Sequence, residues 1–311
     1  MVSPKNLQGD LRIATEYESR FQKLVSDEPL GETEDSEDFG DPMEELCFWI
    51  ASNCNTHMKS LASAQPQVQT LHDWFYPDTL VLTPQVVNGI LHVPLSKPNQ
   101  QLLLQLTPNI ELDQSITNLG IPVIPPSKVF LPQYNIKDGL PQRPTKVFTN
   151  DGMTCFFKPT HVPESAIREI STLLRLQDLG LSENVRAPRL YGLVQYQDSS
   201  KITGMLLEYI EHEDDLGHID VQATALAVRE KWIDQIKYII KSLHPAGIVR
   251  GDAKPENLLV DTDENLWIID FGGGYTQDWV DEGNEGTIEG DNQALSRIVD
   301  FLTGEAEKDV T

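Results

Sequence analysis

The sequence predicts an α+β protein with a β-rich part, a helix-rich part after it, and an α/β extension in front. Three observations carry that expectation. The chain has 311 residues, which suits about two domains. Strand-forming apolar runs separated by turn residues fall between residues 146 and 210, and a long helical periodicity begins near residue 223. Before residue 120, short helical stripes alternate with β-like runs, and no stretch there carries a recognisable chemical motif.

Composition narrows the classes. Hydrophobic residues make up 39% and charged residues 23%, as in a folded soluble protein. Lys and Arg number 24 against 48 Asp and Glu, a net charge of −24. That excess argues against nucleic-acid partners, which require a cationic surface to displace counterions, and against anionic membrane surfaces. No run approaches the roughly 18 apolar residues of a membrane span. Residues Met1 to Asp10 are polar and lack the apolar core of a secretory signal. Cys47, Cys54 and Cys155 are too few and too dispersed for a disulfide framework or a zinc ribbon. The expectation is a cytoplasmic or nuclear, non-secreted protein with reduced thiols.

The elements follow in order. Ile13, Tyr17, Phe21 and Leu24 recur at helical spacing and predict a helix over residues 13–25. An acidic segment, residues 31–45, is expected to be solvated and mobile. Leu46, Trp49, Ile50 and Met58 predict a second helix over residues 43–61. The runs VVNGILHVPL and QLLLQL, on either side of a polar SKPNQ loop, are expected to pair as strands. Pro122, Pro125, Pro126 and Pro132 mark an extended segment and a boundary near residue 120. Residues 146–158 read as strand, turn, strand, because Asn150-Asp151-Gly152 tolerates the positive φ of a tight hairpin. A helix opens near Pro163, whose missing N–H costs nothing in a first turn, with Ile167, Ile170, Leu174 and Leu176 as its apolar stripe. Residues 202–210 predict a buried strand, and residues 223–243 a helix with Trp232, Ile236, Ile240 and Leu243 on one face. Leu258 to Val260 and Leu266 to Ile269 form a hairpin about the turn Asp261 to Asn265. That turn is not a calcium loop, since Leu266 and Gly272 stand where such a loop needs Gly and Glu. A last helix carrying Leu295, Ile298, Val299 and Leu302 is expected to start near Asp291.

The segment from Gly251 to Gly274 is dense in chemistry. Asp252 is followed by Lys254 two residues on, Asn257 five residues on, and Asp270-Phe271-Gly272 eighteen residues on. This constellation resembles the catalytic loop and metal-binding motif of the protein-kinase-like fold. The resemblance implies a bilobal α+β fold with a small β-rich N-lobe over residues 121–211 and a truncated helical C-lobe over residues 212–311, behind an extension over residues 1–120. It also implies ATP and Mg²⁺. Phosphoryl transfer asks a protein to align reactants and neutralise charge rather than to form covalent bonds. By the resemblance, Asp270 and Asn257 are oxygen ligands for Mg²⁺, Asp252 takes or orients the proton of the attacking hydroxyl, and Lys254 stabilises the transferring phosphate. Lys158, ending the strand Met153 to Lys158, is the candidate for the nucleotide phosphates, and Glu169 is its partner, with Glu164 as the alternative. Glu208 and Ile210 follow a strand and resemble the hinge that meets adenine through backbone groups.

Four departures from that family stand out. No GxGxxG phosphate loop is present, and residues 138–143 are the only candidate turn before the Lys158 strand. Arg250-Gly251 replaces the usual His-Arg ahead of Asp252, so pairing of that Arg with a phosphorylated segment is not expected. No Ala-Pro-Glu follows Asp270, and the family's later helices are not expected here; Asp291 resembles the family's Asp that braces the catalytic loop, with a helix N-cap as the alternative. The run DFGGGYTQDWVDEG resembles short kinase-like proteins of filamentous fungi. The first functional expectation is an Mg·ATP phosphotransferase with an unidentified hydroxyl acceptor, protein Ser/Thr by family default. The alternatives are a nucleotide-binding pseudokinase scaffold and a small-molecule kinase of the aminoglycoside or choline type.

Overall fold

The computed structural model describes residues 4–25, 41–61, 68–76, 81–88, 90–96, 107–133, 144–196, 199–274 and 276–304. Most of the acidic segment, the QLLLQL run and the candidate turn at residues 138–143 lie outside them. The chain divides into one unit of residues 1–67 with 76–106, and a second of residues 68–75 with 107–311. The second unit takes up the chain again at Thr107.

The first unit is built from α1 (Pro4–Leu7), α2 (Leu11–Val25), α3 (Pro42–Leu61) and two small antiparallel pairs. Strand β1 (Val81–Leu82) pairs with β4 (Leu95–Ser96), and β2 (Gln85–Val87) pairs with β3 (Ile90–His92). Leu7, Ala14, Tyr17 and Leu46 form its buried centre. Two expectations need correction. Residues 42–45 are not a mobile tail but the first turn of α3: the Asp41 carboxylate accepts from Met43 N (2.9 Å), and Glu44 and Glu45 suit the positive end of the helix. The run VVNGILHVPL is not one strand but two, because Asn88 takes φ +53° and turns the chain back on itself.

The second unit holds the expected bilobal α+β architecture: a curled sheet with one long helix, followed by a helical lobe. Its sheet runs β6 (Val123–Ile124), β10 (Leu190–Gln195), β11 (Lys201–Glu208), β9 (Thr154–Pro159), β8 (Lys146–Thr149), β7 (Val129–Phe130), with β5 (Ile110–Glu111) also on β11. The β8–β9 hairpin turns at Gly152, φ +85°. Cys155 lies at its centre, fully buried, and burial helped by Asp151 pushes its thiol up to about 11, so it is inert. Two short helices, α4 (Leu71–Phe75) and α5 (Gln114–Thr117), precede α6 (Pro163–Asp178), which opens at Pro163 as its sequence requires.

The helical lobe consists of α7 (Leu226–Leu243), α8 (Ile288–Thr303) and a three-stranded sheet. That sheet runs β12 (His212–Asp215), β13 (Leu258–Asp261), β14 (Leu266–Ile268). Trp232, Ile236, Ile240 and Leu243 on α7 pack with Ile298 and Leu302 of α8 in one continuous core. Helix α8 begins at Ile288, capped by Thr287, whose hydroxyl accepts from Gly290 N (3.0 Å). Asp291 therefore lies inside the first turn, free for another task. Among the described residues no helix is long and apolar enough to cross a membrane.

Candidate active site

Strand alternation decides what β9 offers. Cys155 and Phe157 face the core, so Lys158 emerges on the other face, opposite Met205 of β11. Helix α6 presents Glu169 to it from a position 2% exposed. Lys158 Nζ donates to Glu169 Oε1 and Oε2 at 2.9 and 2.7 Å, and to Asp270 Oδ1 at 2.8 Å. Glu164, one turn earlier, is exposed in the first turn of α6 and has no part in this pairing. Burial pushes the Glu169 carboxyl up against the pull of Lys158. Burial also works to raise Asp270, but Lys158, then Arg250 and the Gly272 N–H, hold that carboxyl below the usual range.

Asp270 has φ +62°, a strained value for a residue with a Cβ. The surroundings enforce it. Phe271 is buried beside it, with the Arg250 guanidinium 5.1 Å from the ring centre. Arg250, itself 1% exposed, donates Nη2 to Ile269 O at 2.6 Å. Among the described residues its Nε and Nη1 have no hydrogen-bond partner, and its charge is met at longer range by Asp270, Asp252, Glu169 and Asp291.

The second cluster is local. Asn257 Nδ2 donates to Asp252 O (2.9 Å) and to Asp252 Oδ2 (3.1 Å) across the turn Pro255–Asn257. The Thr276 hydroxyl donates to Asp252 Oδ1 (3.0 Å) and accepts from Lys254 Nζ (3.1 Å). Lys254 Nζ stands 3.6 Å from Asp252 Oδ2. From below, the Asp291 carboxylate accepts from Arg250 N and Gly251 N, both at 2.8 Å, and from His244 Nε2 at 2.9 Å. Asp291 thus braces the loop.

A cavity of about 340 Å³ joins several of the expected positions. Lys158, Glu169, Glu208, Ile210, Asn257 and Asp270 lie in its wall, under Phe156 and over Leu259; Asp252 and Lys254 do not. The donor set fits a hard divalent cation. The polar contacts of Asp270 fall on Oδ1 and those of Asn257 on Nδ2, so among the described residues Asp270 Oδ2 and Asn257 Oδ1 are available as oxygen ligands. A separate group, Asp214, Asp215 and His218, brings three possible donors within 4.8 Å of one another near the end of β12. There Asp215 accepts from Gly217 N and His218 N and pairs with the His218 ring at 2.8 Å, which raises the imidazole pKa.

The structure therefore brings Lys158, Glu169 and Asp270 together, and Asp252, Lys254 and Asn257 together. Sequence reasoning did not single out Thr276, the buried packing of Arg250, or the bracing pair His244 and Asp291 in full. No spacing rule points to Thr276, since it reaches the loop only through the path of the intervening chain.

An ion-paired Lys and two oxygens able to hold a hard cation thus stand at one cavity wall, beside the hydrogen-bonded Asp252 carboxylate. Comparison with known proteins adds a family. Residues 154–282 match the protein kinase domain family. The chain is 28% identical over 123 residues to Serine/threonine-protein kinase 1 of African swine fever virus, covering 39% of each chain. It is 41% identical over 54 residues to Serine/threonine-protein kinase PKH3 of Eremothecium gossypii, 17% of this chain and 7% of that one. It is 29% identical over 97 residues to an Aurora kinase of Debaryomyces hansenii, 31% and 24% respectively. The chain thus spans about two fifths of the viral relative's length and less of the fungal ones. It carries a protein-kinase-like domain homologous to distant viral and fungal Ser/Thr kinases.

Proposed function

We propose that the protein is an Mg·ATP-dependent phosphotransferase that phosphorylates a hydroxyl, protein Ser/Thr by default. The observation that carries this reading is Lys158 bridging Glu169 and Asp270, residues 11 and 112 positions away, at one cavity wall. No local turn or cap accounts for that juxtaposition.

In this reading the base sits between Phe156 and Leu259, and the hinge offers it one acceptor and one donor. Glu208 N donates to Arg189 O (2.8 Å) and Ile210 O accepts from His212 Nδ1 (2.7 Å), and this reading assigns Glu208 O and Ile210 N to adenine. Lys158 holds the inner phosphates, oriented by Glu169. Asn257 Oδ1 and Asp270 Oδ2 hold Mg²⁺, which when bound offsets phosphate charge. Asp252 receives the proton of the attacking hydroxyl, in the same sense that it now accepts from Thr276. Lys254 stabilises the phosphoryl group in flight. The names of the viral and fungal relatives support a protein acceptor. The run DFGGGYTQDWVDEG supports a place among the short kinase-like proteins of filamentous fungi. Three free cysteines suit a reducing, cytoplasmic or nuclear compartment.

The test is γ-phosphate transfer and ATP hydrolysis with Mg²⁺, comparing wild type with Asp252→Ala and Asp270→Ala, alongside melting with and without nucleotide. Asp252→Ala is expected to cost on the order of 10²–10⁴ in rate, and Asp270→Ala to leave only background. Nucleotide at about 100 times its dissociation constant adds roughly 2.7 kcal/mol of stability. Mg·ATP stabilisation without transfer to any hydroxyl would sink the enzyme reading and leave a nucleotide-binding scaffold.

A further inference from the structure

Helix α6 carries two adjacent residues that reach different halves of the site. Glu169 points to Lys158, on the nucleotide side. Arg168, about 100° around the helix, points to the peptide that leads into Asp252. Its Nη2 donates to Val249 O at 3.2 Å and to Arg250 O at 3.4 Å. The same short peptide has its Arg250 and Gly251 N–H groups taken by Asp291. The loop is therefore gripped from both sides: a carboxylate on α8 takes its N–H groups, and a guanidinium on α6 takes its C=O groups.

Two glycines make room for that guanidinium. Gly251 has φ +83°, and a Cβ there would sit 2.7 Å from Arg168 Nη2. Gly273, in the turn after Asp270, has φ +87°, and its Cβ would collide with Arg168 Nη1 and lie 3.0 Å from Cζ. The Arg250-Gly251 departure and the Gly-rich run after Phe271 thus meet in space at one side chain. A planar fork can touch both segments at once, which an ammonium cannot.

We infer that Arg168 is a positioning residue that ties α6 to the Asp252 loop and to the Asp270 turn, so that the nucleotide half and the acceptor half of the site assemble as one unit. The inference rests on the phosphotransferase reading for its kinetic consequence, but its structural consequence stands apart.

The experiment compares wild type, Arg168→Ala, Arg168→Lys and Arg175→Ala, the last a control two turns along the same helix. Steady-state kinetics with Mg·ATP and amide hydrogen exchange are read on the same samples. Arg168→Ala is expected to lower kcat by about tenfold or more while KM for ATP moves less than about threefold, because Arg168 does not line the nucleotide cavity. Exchange should quicken in peptides covering residues 248–254 and 270–274, with β10 and β11 unchanged. Arg168→Lys should fall between, and Arg175→Ala should match wild type. If Arg168→Ala does not fold, Arg168→Lys carries the comparison. Wild-type kcat with wild-type exchange in the Arg168 variants overturns the inference, and so does exchange that quickens uniformly. If wild type shows neither turnover nor stabilisation by Mg·ATP, the phosphotransferase reading fails instead. The exchange arm then decides: local loosening upholds the tie, and unchanged exchange removes it.

Discussion

The two halves of the site are built on opposite plans. The Lys158–Glu169–Asp270 group gathers charges from a strand, a helix and a turn separated by 11 and 112 residues. The Asp252–Lys254–Asn257–Thr276 group lies within one stretch of chain, and its contacts span 5, 22 and 24 residues. The first exists only when sheet and helix have packed, and it buries a carboxylate that must be paired. The second is a hydrogen-bonded loop that needs bracing more than burial. The first half should therefore fail through uncompensated charge, the second through loss of aim.

Lys158→Met should produce the largest effect. It strands Glu169, 2% exposed, without its cation. Removing one member of a buried pair costs roughly 3 kcal/mol or more, and loss of a phosphate-binding cation costs on the order of 10²–10³ in rate. The sign with pH is specific. A carboxyl whose folded pKa is raised disfavours the folded state at high pH, and the penalty shrinks as pH falls through that raised value. Urea titrations of Lys158→Met from pH 8 to 5 should show it approaching wild type as pH falls. Adding Glu169→Gln should recover most of the stability and none of the turnover. A variant equally stable at all pH values would show that burial of Glu169 is not what the ion pair serves.

Asp291→Ala attacks the bracing of the other half. It leaves the Arg250 and Gly251 N–H groups without acceptors in a buried setting. Unsatisfied buried donors cost about 1–3 kcal/mol each, so a loss of roughly 3 kcal/mol is expected by chemical denaturation. The stability loss should be comparable to that of Lys158→Met.

The local plan also explains what could be read from sequence. The spacings from Asp252 to Lys254, Asn257 and Asp270 are fixed by one loop and one hairpin, so they survive as a pattern in the chain. Lys158 and Glu169 could be found because the resemblance implies a Lys on a strand and a Glu on the helix after it, and the apolar runs delimited β9 and α6. Asp291 was legible as a brace only in outline: its competing role as a helix cap is ruled out by Thr287, which caps α8 instead. Thr276, Arg168 and the packing of Arg250 on Phe271 were not legible, because each depends on how one element lies over another. The hairpin at Asn88 was missed for a different reason. The apolar run on both sides of it is continuous enough to imitate one strand, although Asn88 turns it back. The start of α3 was legible, since the helix expected over residues 43–61 begins at Pro42; the mobile reading of residues 31–45 overran it because acidic residues that suit a solvated tail also suit a helix N-terminus.

Thr276→Ala should have a middle-sized effect, and Thr276→Ser should restore it. The hydroxyl is the link that orders Asp252 Oδ1 and Lys254 Nζ against each other. A hydrogen bond to a charged group is worth about 1.5–3 kcal/mol, or a fall in kcat on the order of ten- to a hundredfold, with ATP binding by melting shift unchanged. A Ser variant as weak as the Ala variant would mean that the methyl group, not the hydroxyl, is what matters there.

The smallest effect tests whether the hairpin under the site is itself a pH-dependent support. The Asp261 carboxylate accepts from Asp263 N (2.9 Å), Asn265 N (2.8 Å) and Trp267 Nε1 (2.9 Å), closing the β13–β14 turn. Burial works to raise this carboxyl, but the Asn265 and Trp267 donors outweigh it and hold the pKa below its ordinary value. A carboxyl lowered in the folded state contributes stability above its unfolded pKa, about 3.9, and loses it as pH falls through the folded value. Asp261→Asn should therefore cost about 1 kcal/mol at pH 7, and the cost should vanish in acid below both pKa values. Turnover at pH 7 should stay within about twofold, because Asp252, Asn257 and Asp270 keep their own contacts. A parallel offset between the two stability curves at every pH would mean that Asp261 acts through shape rather than charge. The hairpin would then be a fixed platform under both halves of the site, not a titratable one.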